Sequence, residues 1–257
     1  MARNVGVGVY IITALDARLL SLLYHKPTMK RDREFWNKEY RGANHLALSE
    51  NPSEDLVKFT RWLERQYGRT FLNKTATVLD LGCGNGRNLI WLAQNFGTRG
   101  VGYDISSEAI ALAKKLSEGL PVEYHVRSVT EPLPLSDYSQ TLVLDMMTSH
   151  FLKASERANL LAEITRILKP SGWLFWKTFL LDEDLHAKRM LAENPADEAG
   201  SYIHPKIGVA EHVFTEEEVT EALAPHFTIH KITKSHGHRG PSGKRRSMSI
   251  YAEKISF

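Results

Sequence analysis

The chain has 257 residues, 42% hydrophobic and 25% charged, a composition that suits a globular protein of one large domain or two small ones. Its net charge of +3 is small for that length and gives no bulk argument for nucleic-acid or membrane partners. The single cysteine, Cys83, excludes an intrachain disulfide, and without a Cys-x-x-Cys pair or a Walker Gly-Lys-Ser/Thr no metal site and no nucleoside triphosphate hydrolysis is expected.

Residues 1–28 differ from the rest. Val5 to Leu15 is an apolar run of eleven residues, interrupted by Asp16 and Arg18 before the leucines at 19–23. A membrane span needs about 20 predominantly apolar residues, and no convincing cleavage site for a signal peptide follows. The segment therefore reads as an N-terminal extension or a mis-called start ahead of Met29, with residues 29–257 forming a single domain in the cytoplasm. From Arg33 to Tyr40 the aromatics fall at helical spacing, and a second helix is predicted from a Ser53 cap through Leu56, Phe59, Trp62 and Leu63 to Gly68.

Thr77-Val78-Leu79-Asp80-Leu81 is an apolar run carrying an acid, followed by Gly82, Gly84 and Gly86 at alternate positions and by helical spacing from Arg87 to Phe96. The pattern predicts a strand, a tight turn and a helix. Glycine there permits positive φ and close ligand approach, and the helix N-terminus favours anionic groups. The spacing departs from the Gly-x-Gly-x-x-Gly of dinucleotide-binding folds, which disfavours a nicotinamide oxidoreductase. The acid-x-Gly-x-Gly-x-Gly loop resembles the first motif of the class I S-adenosylmethionine-dependent methyltransferases, and the resemblance extends over roughly residues 35–252. It implies an α/β fold: a doubly wound, mostly parallel seven-stranded sheet with its last strand antiparallel, helices on both faces and extra N-terminal helices. It also implies S-adenosylmethionine as cofactor, held by Asp80, Gly82, Cys83, Gly84, Asn85 and Gly86, with Trp36 and Tyr40 as candidates to cover the pocket. The thiol of Cys83 itself reads as a small side chain that the crowded turn tolerates.

Gly100 to Ile105 is the next predicted strand. Asp104 lies 20 residues beyond Gly84 at its carboxyl end, where an acid accepts hydrogen bonds from both ribose hydroxyls, with Ile105 beside it. Val122 to Arg127 alternates as a third strand. The family usually has an adenine-binding aspartate after it, but the register here gives Val129, which leaves the adenine to the backbone of Ser128 and Val129 or to Glu131. Thr141 to Met147 is a fourth strand, and Asp145 at its end is an acid in apolar surroundings that must be paired or used. It is a candidate both for facing the methionine portion of the cofactor and for the acceptor side. His150 matches a position where the family often has a structural histidine. Ser155 is a candidate cap for the following helix, Lys169-Pro170-Ser171-Gly172 resembles the family's turn before the fifth strand, and Trp173 to Leu180 is that strand.

Residues 181–213 show no clear strand, and a connection of that length is expected to be a lid over the acceptor. Asp145, His204 and His212 are the candidate general bases. Thr215 and Glu218 form a capping-box pattern, and Phe227 to Lys234 with Ser247 to Lys254 should pair as a terminal antiparallel hairpin. The basic run from His236 to Arg246 between them reads as a solvated loop, since no aromatics interleave it for base stacking.

The function implied is in-line methyl transfer to an N, O or S nucleophile of a small-molecule acceptor. An RNA- or protein-directed methyltransferase and a non-catalytic S-adenosylmethionine-binding regulatory protein are the alternatives. The acids Asp182, Glu183 and Asp184 at the start of the lid disfavour a nucleic-acid partner, and both a monomer and a homodimer remain open. A chain beginning at Met29 should melt within a few degrees of the full-length protein. A large loss of melting temperature would place the Val5 to Leu23 segment in the core or in an oligomer interface.

Overall fold

A computed structural model describes residues 26–42, 48–68, 71–235 and 245–256. Two helices lead, α1 (Lys26–Gly42) and α2 (Glu54–Tyr67). Then come β1 (Thr77–Leu81), α3 (Arg87–Phe96), β2 (Arg99–Asp104), α4 (Ser107–Leu116), β3 (Val122–Val126) and β4 (Gln140–Met146). A short 3-10 turn (Ser149–Phe151) precedes α5 (Ala154–Ile167) and β5 (Leu168–Phe179). The chain continues with α6 (Leu185–Glu193), β6 (Ser201–Ile203), β7 (Ala210–His212), α7 (Glu216–Leu223), β8 (Phe227–Lys234) and β9 (Ser247–Lys254).

Among the described residues, seven strands form one sheet in the order β3-β2-β1-β4-β5-β9-β8. The strands β1 to β5 pair in parallel, and β9 runs antiparallel to both its neighbours. This is the α/β sheet the sequence implies. The chain winds outward from β1 through β2 to β3, then returns to the other side of β1 as β4 and β5. That reversal opens a crevice at the carboxyl ends of β1 and β4, where open α/β sheets take their ligands.

Successive strand residues face opposite sides, and the two sides fill with different helices. Phe59 of α2, Leu89 of α3 and Ile110 of α4 pack with Val78, Leu142, Leu144 and Phe175 on one face. On the other, Ile164 of α5 and Val219 of α7 pack with Leu79, Val143, Leu174 and Ile250. The first face carries an aromatic stack: Phe59 lies parallel to Phe175 at 4.8 Å between centroids and edge-on to Tyr251 at 4.8 Å.

Several local expectations change. Helix α5 begins one residue before Ser155, and Glu156 rather than the serine closes its first turn by accepting from the Lys153 N–H at 2.9 Å. The fifth strand starts at Leu168, ahead of Trp173, with a register shift at Gln140/Leu142 that absorbs the 169–172 turn. Residues 181–213 hold α6 and the β6/β7 hairpin, whose three-residue strands are too short to show an alternation in sequence. Helix α1 starts at Lys26, three residues ahead of Met29, while the rest of the proposed extension, residues 1–25, lies outside the described residues. Among the described residues no helix is long and apolar enough to cross a membrane.

Phe59→Ala should cost about 3–5 kcal/mol, the range for truncating a buried aromatic. At about 2–4 °C per kcal/mol for a domain of this size, a thermal melt should fall by about 10 °C. A change of less than a degree or two would show that α2 is not anchored through this ring.

Candidate functional site

The glycine turn is built as the spacing predicts. Gly82 and Gly84 both have positive φ, 66° and 56°, and a Cβ at either would run into a hydroxyl, that of Thr148 at Gly82 and that of Tyr40 at Gly84. Thr148 donates to the Leu81 carbonyl at 2.8 Å, fastening the β4 loop beneath the turn. Gly86 caps α3 in the left-handed conformation. Cys83 is buried, its sulfur would abut a Cβ at Gly102, and burial pushes its thiol pKa well up. That is the packing role expected of it. The side chain of Asn85 donates to the Ser49 carbonyl at 3.0 Å, tying the turn to the segment before α2.

Parallel register sets Leu81 beside both Tyr103 and Asp145, so Asp80, Asp104 and Asp145 fall at or next to the last residue of three adjacent strands, Asp80 level with Leu144 and Asp145 level with Leu81. All three are buried. Asp104 accepts from the Gly84 N–H at 2.9 Å through one oxygen and from the Ser106 N–H at 2.8 Å through the other. Burial raises its pKa against the pull of those two bonds. Asp145 accepts from the Ser149 N–H at 3.1 Å, and burial pushes it up to about 6. Asp80 is raised to about 8, first by burial and then by Asp104, and its Oδ2 has no hydrogen-bond partner among the described residues. An orphaned carboxylate oxygen in a crevice of acids calls for a cationic or hydrogen-bond-donating ligand.

Helix α1 lies across this crevice. The side-chain oxygen of Asn37 accepts from the Ser106 hydroxyl at 2.8 Å, which docks α1 on the head of α4. Tyr40, one turn on, reaches Gly84, and burial followed by the charge of Asp104 raises its phenol pKa. Trp36, on the same helix face, meets Phe151 edge-on at 5.0 Å. Ile105 is half-buried beside Asp104. Ser128 pairs with Thr130 at 2.8 Å, Val129 packs in the core with Tyr103 and Leu133, and Glu131 turns outward to Arg127 at 3.5 Å.

The candidate bases are distributed unequally. His212 is buried with both ring nitrogens engaged, Nδ1 with the Ser201 hydroxyl and Nε2 with Glu218, each at 2.8 Å. The same Glu218 supplies only half of the expected capping box, its N–H donating to Thr215 at 3.0 Å while its carboxylate serves His212. His204 accepts from the Lys206 N–H at 3.3 Å in the loop between β6 and β7. His150 is buried, with neither nitrogen bonded among the described residues, and its ring centre lies 3.9 Å from that of Phe151 and 4.9 Å from that of Phe179.

The basic run before β9 is not wholly solvated. Arg246 pairs with Glu183, its N–H donates to Asp184 at 2.8 Å, and Arg245 pairs with Glu211 while lying over Phe179 at 3.2 Å. These guanidinium groups are drawn inward by acids of the 181–213 segment and by an aromatic face; residues 236–244 lie outside the described residues. Sequence reasoning missed this cluster because Glu211 and Arg245 are 34 residues apart and no local pattern joins them. A separate groove of about 600 Å3, lined in part by Val101, Tyr103, His125 and Arg127, shares no residue with the glycine turn.

Comparison with known proteins agrees with this geometry. Residues 78–172 match the family described as a methyltransferase domain. Over 133 residues the chain is 28% identical to the glycine/sarcosine/dimethylglycine N-methyltransferase of Actinopolyspora halophila, covering 50% of this chain and 23% of that protein. It is 30% identical over 117 residues to the malonyl-[acyl-carrier protein] O-methyltransferase of a Marinomonas strain, covering 45% of this chain and 43% of that one. The match thus spans less than half the length of either relative. A solved SAM-dependent methyltransferase from Methanosarcina mazei aligns with a TM-score of 0.61 at 28% identity, over 73% of this chain and 96% of that one. These similarities support a class I S-adenosylmethionine-dependent methyltransferase family for this chain.

The raised pKa of Asp80 has a defined sign for stability. A folded-state value of about 8 against the ordinary 3.8 means that folding disfavours the ionised form. The stabilisation from the neutral form is fully present below about pH 4 and is lost as pH rises through about 8. Asp80→Asn should therefore raise the melting temperature of the ligand-free protein by several degrees at pH 8, and the gain should vanish below about pH 4. A gain that is equal at both pH values would rule out buried ionisation as its source.

Proposed function

We propose that this protein transfers the methyl group of S-adenosylmethionine to a nucleophile on a small-molecule acceptor. The observation that carries the reading is the burial of Asp80, Asp104 and Asp145 at neighbouring strand ends beside a glycine turn of positive φ that Asp104 clasps at Gly84. The cofactor bears a sulfonium, an ammonium and a ribose diol, and the donor set suits each. A carboxylate has about four lone-pair sites, so Asp104 retains acceptor capacity for both ribose hydroxyls while holding Gly84 and Ser106. The free Oδ2 of Asp80 suits a cation or an N–H. Gly82, Cys83, Gly84, Asn85 and Gly86 present backbone to the methionine portion, Ile105 flanks the ribose, and the backbone of Ser128 and Val129 borders the adenine. Trp36 and Tyr40, carried by α1, cover the crevice.

When bound, the cofactor supplies an already activated methyl group. The protein's own residues then bind, orient and exclude water, effects that together lower a barrier by up to about 7–11 kcal/mol. Where the acceptor is protonated, Asp145 is the base we favour: it stands in the crevice, and a pKa of about 6 keeps it near the working range of a proton acceptor. His212, tied to Ser201 and Glu218, suits a role in fixing the 181–213 segment, and His204 lies farther out on that segment. One relative, named for glycine, sarcosine and dimethylglycine, supports a small acceptor, while the other is named for malonyl-[acyl-carrier protein]. With Arg245 and Arg246 paired internally, the basic run has fewer cations to offer a phosphate track.

Asp104→Ala should weaken S-adenosylmethionine binding at least tenfold by calorimetry while the circular dichroism spectrum stays native. Unchanged affinity in the folded variant would remove Asp104 from the cofactor site. Formation of S-adenosylhomocysteine from a metabolite pool by the wild-type protein separates an enzyme from a regulatory binder.

A further inference from the structure

The aromatic wall that begins at the glycine turn ends at an unused hydrogen-bonding edge. Tyr40 touches the turn, and Trp36 on the same helix packs on Phe151. The next ring along the wall is that of His150, which packs on Phe179, and the guanidinium of Arg245 lies over Phe179 and within 5.5 Å of the Tyr202 ring centre. Arg245 commits Nη1 to Glu211, whose carboxylate also accepts from the Tyr202 hydroxyl at 2.7 Å. Its Nε and Nη2 are buried and have no partner among the described residues, and neither does either nitrogen of His150. In a guanidinium, Nε–H and the neighbouring Nη2–H are parallel and form the edge that takes a carboxylate through two bonds. Leaving such donors buried and unfilled is costly unless a ligand fills them.

We propose that Arg245, through its Nε/Nη2 edge, anchors the carboxylate of the acceptor, whose apolar body lies along Phe179 and Phe151 with His150 as a neutral polar contact. A planar monoanion fits the edge, whereas a phosphate dianion would set a second negative charge against Glu211. The stacked Phe179 ring fixes the plane of the fork, so orientation as well as charge is selected. The proposal rests on the methyltransferase reading for the role of the anchored molecule, but not for its binding.

The test uses the full-length protein and isothermal calorimetry with octanoate and phenylacetate, each beside its primary amide, with and without saturating S-adenosylhomocysteine. At least one acid should bind saturably, and its amide at least tenfold more weakly. Arg245→Lys, which keeps the charge but loses the fork, should weaken that acid at least tenfold with S-adenosylhomocysteine affinity unchanged. Absence of binding by both acids, equal binding of acid and amide, or wild-type affinity in the lysine variant would each overturn the proposal. If the variant does not fold, the acid and amide pairs on the wild-type protein decide alone. Loss of S-adenosylhomocysteine binding alongside intact acid binding would instead overturn the methyltransferase reading and leave the anchor standing.

Discussion

Asp104 joins the glycine turn directly to the head of α4, on which α1 is seated. One oxygen fixes the Gly84 N–H in the turn after β1 and the other fixes the Ser106 N–H at the head of α4. Ser106 in turn caps α4 through Ala109 and donates its hydroxyl to Asn37 of α1. A single carboxylate at the end of β2 thus sets the shape of the glycine turn, the start of α4 and the seat of the leading helix. Both of its present bonds come from backbone N–H groups, so the clasp does not depend on a flexible side chain and leaves acceptor capacity pointing into the crevice.

The crevice is expensive to build. Three carboxyl groups are buried at neighbouring strand ends, and two of them are pushed up to about 8 and about 6. Nothing in the packing requires acids there, since Leu81, Val143 and Leu174 fill the adjoining core without polar atoms. Burying three acids at one spot costs stability that an apolar core would not. Glycine at positions 82 and 84 adds to this, since positive φ and the nearby hydroxyls of Thr148 and Tyr40 exclude any larger residue.

At the opposite end of the aromatic wall, the segment from 181 to 213 is held by charge rather than by a large core. Asp184 caps α6 and accepts from the Arg246 N–H, Glu183 pairs with Arg246, and Glu211 pairs with Arg245. His212 joins β7 to Ser201 and to Glu218 of α7. Of these pairs only that of Arg245 with Glu211 is largely buried, Glu183 being exposed, and a buried pair confers geometry more than net stability. They set the hairpin β6/β7 against the start of β9, where apolar contacts are few: Tyr202 and Val213 pack with Ala187 and Met190 in a small cluster of their own.

The glycine turn, the acids Asp80, Asp104 and Asp145 at strand ends, the alternating faces and the terminal hairpin were legible in the sequence. Each is written in a short window, as a period of two, a period of 3.6, or glycines that only positive φ explains. The sequence also marked Trp36 and Tyr40 through their family resemblance. The tertiary structure decided what those residues face, and it turned Arg245 and Arg246 from a solvated loop into partners of Glu211 and Glu183. It likewise revealed that Asp104 is shared between Gly84 and Ser106, that both nitrogens of His212 are taken, and that those of His150 find no partner among the described residues. The reason is physical: backbone periodicity is a local property of the chain, whereas the partner of a buried charge is chosen by desolvation and proximity between segments that only the folded sheet brings together.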